Sequence, residues 1–276
     1  MGNYLTWMKQ RRPVEPGRAF WTGLGLLSLG LFLFAGAAWL SVFLIGFLPG
    51  WLEPLLLAFL LKPMFSVRAL LGAGESVKKA LQMNDLPKAR RLLAWHLVSR
   101  DTATLNEAEV AGAAVESLAE NLTDSIIAPI FYFVLFGLPG AVFYRFVNTA
   151  DAVLGYRTPE LEYFGKAAAR LDDALNFIPA RLAGALLALL MLPTRYRALA
   201  GCRTALTGGR QLPSPNAGWT MGVVAGGLGL RRDKRGVYVL NRVGRAATVG
   251  DIRTTQRLVV GAAALGILAA LGVSRA

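Results

Sequence analysis

Acidic and amide side chains form three groups between residues 116 and 176, beside long apolar runs. The groups are Glu116, Glu120, Asn121 and Asp124; then Asn148 and Asp151; then Asp172, Asp173 and Asn176. Ionisable groups next to hydrocarbon are costly unless they are paired, ligated or hydrated, so their presence here indicates a functional site. Four nearby arginines carry planar forks of donors that suit carboxylate or phosphate. They are Arg100, Arg145, Arg170 and Arg181.

The spacing of the first group decides which of its members can share a ligand. Glu120, Asn121 and Asp124 are three or four residues apart, so they converge on one face of a helix. Glu116 and Asp124 are about 12 Å apart along the axis, too far to share one ion. Carboxylate and amide oxygens suit a hard cation such as Mg²⁺ bridged to substrate phosphates. The residues alone therefore predict Mg²⁺–phosphate chemistry at a membrane surface. The alternative is that acids and arginines only neutralise one another between helices.

The composition indicates a membrane protein that crosses the bilayer several times. Of the 276 residues, 54% are hydrophobic and 17% are charged, and the stretch 20–48 has no charge. The net charge of +13 falls largely in segments 1–18, 62–107 and 194–257, which the positive-inside bias places in the cytoplasm. No basic face interleaved with aromatics indicates nucleic-acid binding, so no nucleic acid is expected as a partner.

Several site classes are excluded by the sequence. The single cysteine, Cys202, and the single histidine, His96, exclude an intramolecular disulfide and a zinc site of the usual Cys/His kind. Neither a P-loop nor a Rossmann glycine motif occurs, so carboxylate-held Mg²⁺ and arginines would have to manage the phosphates of any nucleotide. The turn from Ser214 through Asn216 to Trp219 opens an apolar helix. It could aim backbone N–H groups at an anion or be a plain cap.

The elements that must position these groups are predicted to be helices. Stretch 20–61 favours two crossings, or one span and a half-span, with a break at Pro49-Gly50. Segment 62–107 contains an amphipathic cytoplasmic hairpin, with Asp85 as a helix cap. The next helix should start near Thr104 with a capping box to Glu107, and the turn 137–140 should make a re-entrant hairpin. The predicted fold class is an all-α polytopic membrane protein with half-span helices. The topology of 178–230 stays open.

Read together, these residues resemble the CobD/CbiB family of cobalamin-biosynthesis membrane proteins. The resemblance covers nearly the whole chain as a single domain, and its most specific runs are AAVESLAEN, RLDD and SPNAGW. The family is known as adenosylcobinamide-phosphate synthase. It joins the carboxylate of adenosylcobyric acid to aminopropanol or its phosphate in an ATP-dependent amide-forming step. The family has an apolar helix before the Met-Gly that corresponds to Met1-Gly2, so we expect either a late start or a missing first helix.

The resemblance implies roles for particular residues, with Mg²⁺ as cofactor and ATP as substrate. Metal binding is expected of Glu120, Asp124, Asp172 and Asp173. Arg100, Arg170 and Arg181 would neutralise phosphate or carboxylate, and Glu116 or Asp151 would take the proton from the incoming amine. Contacts to substrate or nucleotide are expected of Asp101, Asn121, Asn148, Arg170, Asn176, Ser214 and Asn216. The expected partners are the corrinoid, the amino-alcohol and the lipid bilayer, with a homo-oligomer left open. The expected location is the inner cell membrane, with the site facing the cytoplasm.

Two other functions compete with this one. A membrane prenyl- or phosphotransferase also uses Asp and Asn groups with Mg²⁺, but it should have more full-length spans around a lipid-sized cavity. A non-catalytic sensor or assembly partner of the AmpE type could lose the acids without consequence. Substitution of Asp124 or Asp172 by Asn would distinguish such a protein from a ligase.

Overall fold

The computed structural model describes residues 1–208, 212, 214–234 and 236–273. The described residues form twelve α-helices, a 3₁₀ turn at Lys62–Met64, a π-helical turn at Thr123–Ile127 and two short strands. The helices are α1 Gly2–Gln10, α2 Pro16–Ile45, α3 Glu53–Leu61, α4 Val67–Gln82, α5 Leu86–His96, α6 Glu107–Leu122, α7 Ala128–Leu154, α8 Lys166–Leu175, α9 Phe177–Met191, α10 Ala198–Gly208, α11 Ala217–Gly227 and α12 Val249–Val273. The strands are β1 Arg232–Lys234 and β2 Tyr238–Leu240.

The fold is that of an all-α polytopic membrane protein, as the sequence predicts. Four stretches of the described chain are long and apolar enough to cross a bilayer: Pro16–Ile45, Glu53–Gln82, Glu107–Leu154 and Val249–Val273. The consecutive helices α8 and α9 pass the same test only when taken together, as a broken span or a re-entrant loop. On α2, Phe32 is 76% exposed and Trp39 is 62% exposed. Large apolar side chains turned outward in this way suit a lipid environment.

The chain divides into two compact units, each built from separated stretches of sequence. The first consists of residues 1–65 and 128–176, and the second of residues 66–127 and 177 onward. In the first unit α2, α7 and α8 pack on one another around Leu27, Phe146 and Phe164. In the second unit α6 is buried on nearly every side by α4, α11 and α12.

The hairpin predicted in segment 62–107 is confirmed. α4 and α5 flank a tight turn in which Asn84 has a positive φ of 57°. Asp85 caps α5, because its Oδ1 accepts a hydrogen bond of 3.0 Å from the backbone N–H of Lys88. The side on which this hairpin lies stays a prediction.

The predicted start of α6 is wrong by a few residues. Thr104 and Glu107 do not form the capping box; Asn106 and Glu109 do, through reciprocal hydrogen bonds of 2.8 and 2.9 Å. Asn106 has the extended backbone of an N-cap, with φ −77° and ψ 176°. The residues before it are held in a turn in which Thr102 donates to the Arg90 carbonyl. Thr104 and Asn106 are both suitable N-cap residues and each has a glutamate three positions later, so spacing alone does not fix the cap.

The reversal predicted at 137–140 is confirmed by the rings on either side of it. Gly137 has φ 64° and ψ −156°, a conformation that L-residues rarely adopt. In a continuous helix Tyr132 and Tyr144, twelve positions apart, would be separated by about 18 Å along the axis. The two rings instead stack with centroids 5.3 Å apart and planes 9° apart, so the halves of α7 fold back on each other. That both arms return to the same side of a bilayer stays a prediction.

A small β-hairpin after Leu230 is not among the expected elements. β1 and β2 pair antiparallel, with Arg232 opposite Leu240 and Lys234 opposite Tyr238. Gly236 has a positive φ of 73° in the turn between them. The hairpin is too short to change the fold class, but it carries two residues of the site described below.

Substituting Gly137 by Ala tests the reversal of α7. A Cβ at this positive φ adds strain of about 1–3 kcal/mol, which should lower the melting temperature of the purified protein in detergent by several degrees. The control is Gly25→Ala, because Gly25 is helical and has open space around it. Alanine there should be neutral or stabilising. Equal melting temperatures for Gly137→Ala and the parent protein would contradict the reversal.

Candidate functional site

The first unit brings together the second and third groups of the sequence. We call Asn148, Asp151, Asp172, Asp173 and Asn176 the amide–carboxylate cluster. Asp172 is 9% exposed, and each of its oxygens accepts an amide hydrogen bond. Asn148 donates to Oδ1 over 3.3 Å, and Asn176 donates to Oδ2 over 3.0 Å. The buried carboxylate is therefore solvated by neutral donors, which satisfy its oxygens without cancelling its charge.

Two tyrosines from α7 hold the end of α8 that carries this cluster. The Tyr144 hydroxyl donates to Asn176 Oδ1 over 2.9 Å, and the Tyr132 hydroxyl donates to the Leu175 carbonyl over 2.9 Å. The reversal at Gly137 is what places both phenols at the same helix end. Tyr144 is fully buried, so its hydroxyl needs this partner. The amide of Asn176 is thereby oriented with its N–H₂ toward Asp172.

Asp151 and Asp173 complete the cluster and are only half-buried. The Asp151 carboxylate interacts electrostatically with both Asp172 and Asp173. Gly155 leaves room for it, because a Cβ there would overlap the carboxylate. Arg145 donates to Asn148 Oδ1 over 3.4 Å, so one arginine lies beside the cluster. Three carboxylates that interact in this way repel one another, and a cation relieves that repulsion.

The chemistry of these donors fits Mg²⁺ only together with a ligand. Among the residues that the structure describes, no three His, Cys, Asp or Glu side chains are arranged to hold a metal ion by themselves. Mg²⁺ in phosphate-transfer sites is commonly bound by one or two carboxylates, with waters and substrate phosphates completing the octahedron. The cluster offers carboxylate and amide oxygens of that kind.

Glu116 lies in the second unit, where it is enclosed by partners. Arg232 of β1 donates to its Oε2 over 2.8 Å, and the Tyr238 hydroxyl of β2 donates to its Oε1 over 2.5 Å. The Arg232 and Glu116 side chains are 6% and 10% exposed. Gly112 admits the guanidinium, because a Cβ at this position would overlap it. Burial and the negative charge of Glu116 raise the pKa of Tyr238, so the phenol stays a donor.

The rest of the first group follows Glu116 along α6 into the π-helical turn. Asn121 donates through Nδ2 to the Ser117 carbonyl over 2.9 Å and to Ser117 Oγ over 3.2 Å. Glu120 and Asp124 are half-buried, and Asp124 lies in the turn Thr123–Ile127. Such single π turns are frequent at functional sites. These residues belong to the second unit and Asp172 and Asp173 to the first, so the expected single pocket made from both stays a prediction.

Arg181 and the SPNAGW turn come together in the second unit. The Arg181 guanidinium lies 3.5 Å from the Phe177 ring centroid and 4.8 Å from that of Trp219. Gly184 on the same helix packs against the Trp219 backbone. Ser214 Oγ accepts a hydrogen bond of 3.3 Å from the Asn216 N–H, and Asn216 is buried before α11. The Arg181 guanidinium therefore lies against two aromatic rings, one of which, Trp219, ends the SPNAGW turn.

Three further candidates from the sequence, Asp101, Arg100 and Arg170, are not part of the contacts described above. Asp101 is exposed and accepts a local hydrogen bond of 2.8 Å from the Ala103 N–H. Arg100 is half-buried in the same loop. Arg170 is exposed on α8, whereas Asp172 is buried, so the two point to different faces of that helix.

Four residues of these arrangements are absent from the sequence-based set. Arg232 and Tyr238 lie 116 and 122 positions from Glu116, and no local spacing connects them. Tyr132 and Tyr144 could have been found, because they flank the Gly-Leu-Pro-Gly turn at similar distances along the chain. A hairpin at that turn brings such positions together.

A mutant cycle on Glu116 and Arg232 tests the buried ion pair. Glu116→Gln or Arg232→Met alone leaves one charge buried without its partner, which typically costs about 3–5 kcal/mol. The double variant should be less destabilised than the sum of the single changes. Melting temperatures of the single and double variants in detergent measure these losses of stability.

The control for this cycle is Asp233→Asn in the same hairpin. Its pair with Arg231 is exposed at 51% and 39%, so its loss should cost about 1 kcal/mol or less. Strict additivity of the Glu116 and Arg232 changes would contradict the pairing.

Comparison with known proteins identifies the relationships of the chain. The profile of the family described as CobD/CbiB protein matches residues 1–265. A relative named "Probable cobalamin biosynthesis protein CobD" from Methanothermobacter thermautotrophicus is 45% identical over 73% of this chain and 67% of its own length. One of the same name from Pyrococcus furiosus is 50% identical over 53% of this chain and 50% of its own. "Cobalamin biosynthesis protein CobD" from Dehalococcoides mccartyi is 39% identical over 78% and 70%.

No solved structure matches the chain. The chain spans between half and about 70% of the length of these three curated relatives. The matched region includes all of the first unit, the second unit up to residue 265, and every residue of the amide–carboxylate cluster. The chain belongs to the CobD/CbiB family.

Proposed function

We propose that this chain acts in cobalamin biosynthesis as an ATP-dependent amide-forming ligase. The substrates would be the carboxylate of adenosylcobyric acid and the amine of aminopropanol or its phosphate. The observation that carries the proposal is the amide–carboxylate cluster, whose central carboxylate is buried with its charge uncancelled. Family membership and the relatives' names support the pathway. The reaction itself is our inference.

The chemistry has two steps that make different demands. A carboxylate is a poor acyl donor, so its oxygen first attacks the terminal phosphorus of ATP and ADP leaves. The amine then attacks the acyl phosphate, phosphate leaves, and the amine proton passes to a base. The site must therefore neutralise phosphate charge and provide a proton acceptor. Mg²⁺, when bound, would supply electrostatic stabilisation of the phosphates.

Asp151 is the better of the two candidate bases. Both oxygens of Glu116 accept hydrogen bonds from Arg232 and Tyr238, so neither is open to an incoming amine. No hydrogen bond to the Asp151 carboxylate occurs among the described residues, so its oxygens can accept the amine proton. We therefore assign the proton transfer to Asp151 and a positioning role to Glu116, which fixes the β-hairpin on α6.

The remaining roles follow from charge and position. Asp172 and Asp173 would hold Mg²⁺ with the nucleotide phosphates, while Asn148 and Asn176 orient Asp172. Glu120, Asn121 and Asp124 form a second set of oxygen donors that suits the same ion–phosphate chemistry. Arg181, held between two rings, would neutralise a phosphate or the substrate carboxylate. A cytoplasmic orientation, which ATP requires, is supported by the basic segments.

Asp151→Asn and Asp172→Asn test the assignment in one assay. Each variant is expressed in a strain blocked at cobinamide formation, with this reading frame and with one extended upstream. Both should lose at least about a hundredfold in cobinamide formation, because each loses a proton acceptor or an ion ligand. An immunoblot of the membrane fraction checks that the proteins insert.

The matched control is Glu162→Gln, because Glu162 is an exposed acid of the same first unit. It should retain full activity. Failure of both parent frames to form cobinamide would contradict the ligase. Retention of activity in the two aspartate variants would contradict the site and favour a function that does not need the acids.

A further inference from the structure

The second unit contains a cavity that shares no residue with the site described above. Its volume is about 510 Å³, within the range of small-molecule sites. It lies between α10, the end of α11 and the turn that follows β2. Arg197, Arg203 and Arg242 line it, and its described lining contains no Asp or Glu.

The three arginines make this cavity strongly cationic. All three side chains are exposed, and none has an acidic partner within salt-bridge distance among the described residues. Like charges gathered around one concavity focus a positive potential in it. Guanidinium groups bind phosphate oxygens through two parallel hydrogen bonds, which gives geometric as well as electrostatic selection.

Free carbonyls at a helix C-terminus carry a partial negative charge that would repel an anion, but those of α11 are hydrogen-bonded. The carbonyls of its last four residues each accept a backbone hydrogen bond. The donors to residues 224, 225, 226 and 227 are the N–H groups of Leu228, Leu230, Gly229 and Arg197 respectively. These bonds offset much of the negative partial charge at this helix terminus. The arginines therefore dominate the electrostatics of the cavity.

The turn that carries Arg242 is held in place by hydrogen bonds. Asn241 has a positive φ of 47°, and its Nδ2 donates to the Leu230 carbonyl over 3.1 Å. The Gly244 N–H closes the turn by donating to the Asn241 carbonyl over 2.9 Å. On the facing side, Gly201 and Gly226 allow α10 and α11 to pack in backbone contact. Because the backbone around the cavity is already held in place, little conformational entropy is lost when a ligand binds.

We propose that this cavity binds the phosphate group of an anionic ligand. Two sources carry the same chemistry: a soluble phosphorylated molecule and the headgroup of an anionic phospholipid. The proposal goes beyond the ligase activity and does not depend on it, because it concerns other residues and is read out by binding. Failure of one proposal therefore leaves the other standing.

The test compares two triple variants with the same loss of charge. Arg197→Gln, Arg203→Gln and Arg242→Gln are combined in the cavity variant. Arg195→Gln, Arg253→Gln and Arg257→Gln are combined in the control, because these are exposed arginines of the same unit outside the cavity. Full-length protein in detergent is titrated at low salt with pyrophosphate by calorimetry. In a second arm it is titrated with a fluorescent phosphatidylglycerol in mixed micelles.

The cavity variant should bind its phosphate ligand at least about tenfold more weakly than the parent, because it loses charge-assisted hydrogen bonds. The control should stay close to the parent. Binding of pyrophosphate identifies a soluble ligand, and binding of the lipid alone identifies a headgroup. Absence of binding in both arms, or equal weakening by both triple variants, would overturn the proposal.

A single substitution gives an independent check of the same cavity. Thr207 is exposed on α10 and lines the cavity, so Thr207→Glu places a negative charge in it without disturbing the core. Thr207→Gln has nearly the same size and no charge. The Glu variant should lose binding and the Gln variant should keep it, with unchanged melting temperatures for both. Equal binding by the two variants would contradict a phosphate in this place.

Discussion

The burial of the Asp172 carboxylate in an apolar helical unit is the constraint on which the first unit depends. A charge in such a place is tolerated only if each oxygen has a donor, and the donors here come from two different helices. Asn148 on α7 and Asn176 at the end of α8 must therefore be held at fixed positions. The phenol of Tyr144 orients Asn176, and the reversal at Gly137 places a second phenol beside it. Hydrogen bonds in such a chain polarise and strengthen one another.

Each unit buries a carboxylate, but the partners of that carboxylate differ between the two units. Glu116 is neutralised by Arg232 and accepts a hydrogen bond from Tyr238, so the buried carboxylate links α6 to the β-hairpin. Asp172 is satisfied by neutral amides, so no positive charge of the described chain is paired with it. Buried ion pairs add little net stability but are costly to break, whereas an uncompensated charge with neutral donors favours a counter-ion. This difference is why we assign chemistry to the aspartates of the first unit and positioning to Glu116.

The sequence predicts what local spacing determines and misses what tertiary contact determines. Helical spacing relates Asn148 to Asp151 and Asp172 to Asn176, and hydropathy indicates the spans and the reversal at 137–140. The cap of α6 is misplaced because two overlapping four-residue stretches, 104–107 and 106–109, both carry suitable residue types. Arg232 and Tyr238 are missed because their hairpin has only three residues per strand, and β1 lies within the basic run 231–235. No periodicity within α6 points to partners more than a hundred residues away.

The central claim is that amide donors hold Asp172 without cancelling its charge, so that the cluster attracts a divalent cation with a phosphate ligand. Electron paramagnetic resonance of Mn²⁺, titrated with a non-hydrolysable ATP analogue, tests this most directly. The account predicts that the parent protein binds Mn²⁺ with the analogue and that Asp172→Asn binds it markedly more weakly, while Glu162→Gln matches the parent. Equal Mn²⁺ affinity in the parent and in Asp172→Asn would contradict it.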